Sequence, residues 1–172
     1  MANTYTLIAS STVGSGGASS IDFTSIANTW TDLVLKASVR STFSGNYGNI
    51  IVSINGATTS ESMRQIWGDG STTYSNNDTP IYGTMMTQAG ATANVFSNIE
   101  IYIPNYASST AYKSLSMDGV AENNATQSAL GLVAGLYASN TAITSVGIKP
   151  NGSPTYLFPQ YSTAYLYGVK NA

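Results

Sequence analysis

The chain has 172 residues, 42% of them hydrophobic, but only 8% are charged and the formal net charge is −2. This many apolar and aromatic residues exclude a disordered chain, and six scattered Lys and Arg residues lack the clustering that nucleic acid binding needs. Because the chain has neither Cys nor His, disulfides, thiolate metal sites and a Ser-His-Asp triad are excluded.

The low charge carries a functional implication. About 25% of residues are charged in an ordinary soluble domain, whereas Ser, Thr, Asn and Gly fill the polar positions here. A nearly neutral polar surface favours permanent contact with other protein surfaces. We expect one domain over residues 1–172, with no secretory signal and no membrane-spanning segment.

Alternating apolar and polar residues predict short strands from the N-terminus onward. Residues 5–9 form the first strand, residues 10–17 a Gly- and Ser-rich loop, and residues 21–23 the second strand. The clearest strand covers residues 31–40 and has one apolar face, expected inside the protein. That face consists of Leu33, Leu35, Ala37 and Val39, and the polar face consists of Asp32, Lys36, Ser38 and Arg40.

The next segment contains a strong turn signal. Residues 49–54 predict a strand that ends at Asn55-Gly56, a pair typical of tight hairpins, and the strand over residues 62–67 continues from that turn. Residues 70–78 are all turn formers and predict an exposed loop. A short strand over residues 81–86 follows.

The C-terminal half predicts five more strands. They cover residues 94–103, 112–120, 129–137, 143–149 and 163–169. Apolar side chains on one face of the first two are Val95, Ile99, Ile101, Ile103, Leu115 and Met117. Residues 129–137 fit a helix or a strand, and we interpret them as a strand with Leu130, Leu132, Ala134 and Leu136 on one face and Gly131, Val133 and Gly135 on the other.

This series of short strands, most of them separated by turn signals, predicts an all-β protein. The expected architecture is an antiparallel β-sandwich of jelly-roll type. No amphipathic helix and no internal repeat is visible in the sequence.

Short segments along the chain resemble small virion structural proteins of tailed bacteriophages, such as those that infect marine and freshwater bacteria, cyanobacteria among them. The segments are YTLIA (5–9), SIDF (20–23), WTDL (30–33), IEIYIPNY (99–106), ITSV (143–146) and YLYGVK (165–170). The resemblance implies a β-sandwich without a catalytic site, used as a capsid decoration (cement) protein or within a tail fibre. Because no shaft repeat or coiled coil is visible, a decoration protein is favoured.

Candidates for chemistry are few, and each has an alternative structural explanation. A glycosidase would need a pair of catalytic carboxylates, and the chain has eight Asp and Glu residues. Most of them fall on polar strand faces or in turns, where solubility and turn capping explain them. Asp69, Asn76, Asn77 and Asp78 offer oxygen ligands for calcium, but their spacing matches no EF-hand and equally suits a loop of Asx turns. We therefore predict no enzyme activity, no catalytic residue, no metal site and no cofactor.

Aromatic residues are candidates for a sugar-binding face, although strands are rich in such residues for packing alone. The candidates are Trp67, Tyr74, Tyr82, Tyr102, Tyr106 and Tyr112.

Two segments are candidate interfaces. The first lies within residues 1–20, where the strand carrying Tyr5 and Leu7 pairs either in its own sheet or, as an arm, with a neighbouring subunit. The second is the small-residue face of Gly131, Val133 and Gly135, which either packs inside the sandwich or permits close approach of a subunit.

Three functional hypotheses follow. The first is a decoration protein on the outer capsid surface, with the major capsid protein as partner and a homo-oligomer, for example a trimer, as the bound form. The second is a tail-fibre or spike head domain that binds a host receptor or glycan. The third is a carbohydrate-binding module, which would accompany a catalytic domain. None of them involves nucleic acid or a membrane.

Overall fold

The computed structural model describes residues 4–57, 59–124 and 127–170. Within them the chain forms twelve strands and no helix, so no helix of that part is long enough to cross a bilayer. The strands are β1 Tyr5–Thr12, β2 Ile21–Phe23, β3 Asp32–Val39, β4 Tyr47–Ile54, β5 Glu61–Gly68, β6 Thr73–Asp78, β7 Tyr82–Thr87, β8 Ser97–Ile103, β9 Lys113–Val120, β10 Leu130–Tyr137, β11 Val146–Pro150 and β12 Thr163–Val169.

Two sheets pack face to face. The large sheet has eight strands in the order β1-β12-β3-β8-β9-β10-β5-β6, and the small sheet has four in the order β2-β11-β4-β7. Every pair of neighbouring strands is antiparallel. The predicted all-β antiparallel sandwich is confirmed, while its jelly-roll connectivity stays a prediction.

The core lies between the two sheets and is built by the alternation seen in the sequence. On β3 and β8, Leu33, Leu35, Ile99, Ile101 and Ile103 are fully buried. The small sheet supplies Ile50, Val52, Ile54, Val146 and Ile148 to the same cluster. Each such side chain contributes roughly 1.5–3 kcal/mol through burial, so the facing sheets are the main source of stability.

Glycines on β9 and β10 let strand β7 of the small sheet come close. Thr84 is fully buried, and its single hydroxyl proton has two backbone oxygens within hydrogen-bond distance, those of Gly119 at 3.3 Å and Gly131 at 3.1 Å. A methyl group built on Gly119 would overlap the Thr84 side chain. The predicted strand over residues 129–137 is confirmed, and its small-residue face packs inside the sandwich.

The Asn55-Gly56 turn forms, but it does not make the expected hairpin. Both residues have positive φ values, 53° and 72°, and an antiparallel bridge joins Ile54 to Ala57. Strand β4 nevertheless pairs with β7 and β11 in the small sheet, whereas β5 pairs with β6 and β10 in the large sheet. The turn reverses the chain locally and the chain then crosses to the other sheet.

The exposed loop predicted over residues 70–78 is wrong for most of its length. Thr73–Asp78 forms β6, the edge strand beside β5. Every side chain of β6 is exposed, because the small sheet does not cover this edge. A strand that buries neither face shows no alternation, so its composition resembled that of a loop.

Two charged residues predicted on the polar outside of β3 are buried instead. Asp32 is 3% exposed and accepts hydrogen bonds from the Tyr102 hydroxyl and the Asn105 backbone, both at 2.9 Å. Arg40 is 8% exposed and donates to three backbone oxygens, of Ala91, Thr92 and Val95. Loops at the two ends of the sheet cover these residues and satisfy them.

The N-terminal segment pairs within its own sheet. Strand β1 is longer than predicted and runs antiparallel to β12, with a bulge between Leu7 and Ala9. Backbone hydrogen bonds from Val13 to Ser162 and from Ala18 to Phe158 hold the following loop. Of the proposed arm over residues 1–20, residues 1–3 lie outside the described residues.

Candidate functional site

The outer face of the large sheet, which points away from the small sheet, is the most extensive candidate surface. The strand register places one row of side chains on this face, running from Tyr165 through Lys36, Glu100 and Asp118 to Leu132 and then Ile66. Side chains directly opposite on neighbouring strands share a face. The row is therefore aromatic at one end, charged in the middle and aliphatic at the other end.

The aliphatic end, here called the leucine patch, consists of Val120, Leu130, Leu132 and Ile66. Their side chains are 43%, 60%, 57% and 51% exposed. Val120 lies opposite Leu130, and Ile66 lies opposite Leu132, so the four are adjacent across β9, β10 and β5. Single exposed apolar residues are normal, but a contiguous patch of large ones marks an interaction site.

The aromatic end, here called the tyrosine patch, consists of Tyr5, Leu7, Tyr102, Tyr165 and Tyr167. Tyr5 and Leu7 are 51% and 52% exposed. The ring of Tyr5 meets that of Tyr167 edge to face, with centroids 6.3 Å apart. Val34, between Tyr167 and Tyr102 in the register, is 1% exposed although it lies on the outer face. The tyrosines therefore form a packed surface.

A polar centre separates the two patches. The Lys36 ammonium lies 2.8 Å from a Glu100 carboxylate oxygen, and this hydrogen-bonded partner raises the pKa of Lys36. The pair is half exposed and contributes little to stability, but it holds charge at the middle of the face. Tyr165 and Leu132 are four strands apart in the sheet, which corresponds to about 19 Å.

The structure places the sequence-predicted interface residues on different sides of the sheet. Tyr5 and Leu7 belong to the exposed tyrosine patch. Gly131, Val133 and Gly135 are buried and face the small sheet, where a methyl group on Gly135 would meet Leu115 and Ile81. That face of β10 is occupied by the chain itself, so of the two alternatives for these residues the structure has the one in which they pack inside the sandwich, and they are not an exposed interface.

The exposed face of β10 carries the residues that the sequence analysis missed. Leu130 and Leu132 were recognised as sharing a face with each other, but they were not assigned to an interface. The signal was present as a strand with leucines on one side and glycines on the other. Such a strand exposes its leucines when a second sheet needs the glycine side for close approach.

The residues considered as calcium ligands do not converge. Asp69 lies in the turn before β6 and accepts hydrogen bonds from the Ser71 and Thr72 backbones, and these hold its pKa at about 2. Asp78 ends β6, about 17 Å along the strand from its start. Asn76 and Asn77 point to opposite faces of the strand. Among the described residues, no three acidic side chains form a group suited to a metal ion.

The aromatic sugar-face candidates are mostly dispersed, but two of them meet. Trp67 and Tyr74 lie opposite each other on β5 and β6, and their rings stack with centroids 4.1 Å apart. Tyr106 is buried in the core, Tyr112 is exposed at 63%, and Tyr102 belongs to the tyrosine patch. Tyr82 is half-buried against the core.

Comparison with known proteins adds no family assignment. No protein family, no curated protein and no solved structure matches the chain. The surfaces described above are therefore the structural basis for a functional proposal.

Proposed function

We propose that this chain is a non-enzymatic structural protein of a phage virion, namely a capsid decoration protein that docks through the outer face of its large sheet. The observation that carries the proposal is the pair of exposed apolar patches on one face. The virion assignment is supported by the sequence resemblance, and the docking role is supported by the patches and by the nearly neutral surface.

Each patch alone supports only weak binding. Burying a whole Leu or Ile side chain is worth roughly 1.5–3 kcal/mol, and the four residues of the leucine patch are about half exposed. Their burial therefore contributes roughly 4 kcal/mol, which corresponds to a dissociation constant on the order of 1 mM before association costs. Stable attachment requires both patches, or many copies acting together.

The spacing of the patches suits a clamp. Two apolar areas about 19 Å apart on one face can contact two neighbouring subunits of the major capsid protein. A protein that binds only the assembled lattice stabilises that lattice by mass action. A homo-oligomer, for example a trimer at a local threefold position, would multiply these contacts on the outer capsid surface.

The test uses shells assembled with and without the protein, heated while DNA release is measured. The wild-type chain is expected to raise the release temperature. L130S/L132S in the leucine patch, or Y5S/L7S in the tyrosine patch, should each remove most of that effect, because a clamp needs both contacts. Y112S is the matched control, because Tyr112 is exposed but belongs to neither patch.

Two results would overturn the proposal. Equal DNA release with and without the wild-type protein would reject the cement role. Full activity of both double variants, with Y112S unchanged, would show that the outer face is not the docking surface.

A tail-fibre or spike head domain that binds a host receptor is the second candidate function. The stacked pair of Trp67 and Tyr74 at an exposed sheet edge favours it, because aromatic rings at such positions are typical of ligand contacts. A particle map with density for this chain only on the tail would select this candidate over the decoration role.

A further inference from the structure

A shallow groove lies between the inner side of the β5–β6 edge and the start of β4. The groove is open to solvent, and its volume of about 420 Å³ falls within the usual range for small-ligand sites. We call it the aromatic groove and define it by Tyr47, Asn49, Gln65, Trp67, Tyr74 and Asn76. It opens on the side of the large sheet opposite to the leucine and tyrosine patches, so a ligand in the groove would leave the docking face free.

Three aromatic rings form one continuous surface in the groove. Trp67 stacks on Tyr74 with an interplanar angle of 17°, and Tyr47 meets Trp67 at 60° with centroids 5.8 Å apart. The Tyr74 hydroxyl donates to Asp69 at 3.4 Å. The turn that holds Asp69 is itself fixed by the Ser71 and Thr72 backbones. The rings are therefore held in place before any ligand arrives, which lowers the entropic cost of binding.

Amide side chains border these rings. Asn49 donates from Nδ2 to the Gly83 carbonyl at 2.8 Å and to Gln65 Oε1 at 3.4 Å. Gln65 is 4% exposed, and its Nε2 has no hydrogen-bond partner among the described residues. Asn76 lies opposite Gln65 in the register and is exposed on the same face. Amides both donate and accept hydrogen bonds, as hydroxyl groups do.

The residues that line the groove are uncharged, and this restricts the class of ligand that the groove can bind. No Lys, Arg, Asp or Glu lines the groove, and Asp69, which accepts a hydrogen bond from Tyr74, is held in its own turn by the Ser71 and Thr72 backbones. An anionic ligand would find no positive partner, and a cation would find no carboxylate wall. A neutral molecule with a flat apolar face and a rim of hydroxyl groups fits both the rings and the amides.

We propose that the aromatic groove binds a neutral saccharide, with a pyranose ring packed on the exposed parts of the Tyr47, Trp67 and Tyr74 rings and its hydroxyl groups hydrogen-bonded to the amides of Asn76 and Asn49. Tyr74 is 40% exposed, and Tyr47 and Trp67 are partly exposed, so parts of all three rings that line the groove remain available to a ligand. The site would let the protein hold a surface glycan in addition to its docking role.

The test begins with an array that carries neutral, sialylated and sulfated oligosaccharides. The neutral oligosaccharide with the strongest signal is then titrated into the W30F variant and followed by fluorescence. This variant leaves Trp67 as its only tryptophan, because the chain has two. Binding in the groove is expected to change the fluorescence emission of Trp67, because the ligand lies against the aromatic rings of the groove, and Trp67 is one of them.

Single substitutions test which side chains contribute to the affinity for the saccharide. Y74A should weaken binding about tenfold, the loss typical of an aromatic side chain at the centre of a contact. Y112A is the matched control and should bind like the parent chain. Far-UV circular dichroism confirms that Y74A folds, as expected for an exposed edge-strand residue.

Several outcomes would overturn the inference. They are an array without any neutral binder, binding that leaves the Trp67 emission unchanged, and equal affinity of Y74A and Y112A. L130S/L132S should keep full saccharide binding, so this test can fail or succeed independently of the docking proposal.

Discussion

Glu61 is a buried carboxyl group that should make the stability of the protein depend on pH. It begins β5, is 6% exposed, and accepts a hydrogen bond from the Ile81 backbone at 3.1 Å through Oε2, while Oε1 has no partner among the described residues. Burial raises its pKa from 4.5 to about 7, although the Ile81 and Ile54 backbone N–H groups act in the opposite direction. The folded protein therefore holds this proton at pH values where the unfolded chain has lost it.

The sign and the magnitude follow from this difference. A rise of the pKa from 4.5 to about 7 corresponds to about 3 kcal/mol, because each tenfold change in proton affinity corresponds to about 1.4 kcal/mol. The stabilisation is complete below pH 4.5, where Glu61 is protonated in both states. It is lost as the pH rises through about 7, because the folded state must then bury a carboxylate.

Urea unfolding of the wild type and of E61Q between pH 4 and pH 8 measures this contribution. The amide stays neutral, so any packing cost of the substitution is the same at every pH. The free energy of unfolding of the wild type should fall by up to about 3 kcal/mol relative to that of E61Q across this range. A difference between the two proteins that does not change with pH would refute the reasoning.

The E122Q variant is a control for which the pH dependence of stability should have the opposite sign. Glu122 is exposed, and the Asn124 backbone N–H lowers its pKa. Its ionised form therefore stabilises the fold above pH 4.5, and that stabilisation is lost as the pH falls. Relative to E122Q, the wild type should gain stability with rising pH, the reverse of the comparison with E61Q.

Two further predictions concern packing and buried charge, both measured by urea unfolding. G119A should destabilise the protein by about 1–3 kcal/mol, because the added methyl group overlaps the Thr84 side chain. The control is G14A, which should change the stability little, because a methyl group on Gly14 has no atom near it. Equal losses of stability in the two variants would contradict this account. K113M should lower the free energy of unfolding by about 3 kcal/mol, because the fully buried Lys113 ammonium donates hydrogen bonds to three backbone oxygens. The control is K149M, because Lys149 is exposed. A loss in K113M no larger than that in K149M would contradict a structural role for the buried ammonium.

The strands that build the core could be predicted because burial on one face imposes a period of two. Within β3 and β8 the apolar residues named from the sequence are all buried, although Asp32 and Val34 on the opposite face of β3 are buried as well. Val95 is an exception, since β8 begins at Ser97 and the Val95 carbonyl instead accepts a hydrogen bond from Arg40. The alternation of apolar and polar residues identifies the interior of a strand, but it does not show which loop covers the end of that strand.

The pairing of strands could not be predicted in the same way. The Asn55-Gly56 signal is local and correct for the turn, but β4 and β5 enter different sheets because the choice of partner depends on distant strands. For the same reason the aromatic groove was only half visible. Trp67 and Tyr74 were named as candidates, whereas Tyr47 joins them from the small sheet and has no sequence relationship to them.

The orientation of β10 shows how the two sheets decide which surface the protein presents. Alternation places the leucines on one side and the glycines on the other, but it does not fix which side faces inward. Hydrophobicity alone would bury Leu130 and Leu132. The small sheet instead packs on the glycine side, where Thr84 occupies the space beside Gly131, while Gly135 leaves room for Leu115 of its own sheet. Close sheet packing therefore exposes the leucines, and the same requirement that completes the core creates the leucine patch on which the docking proposal depends.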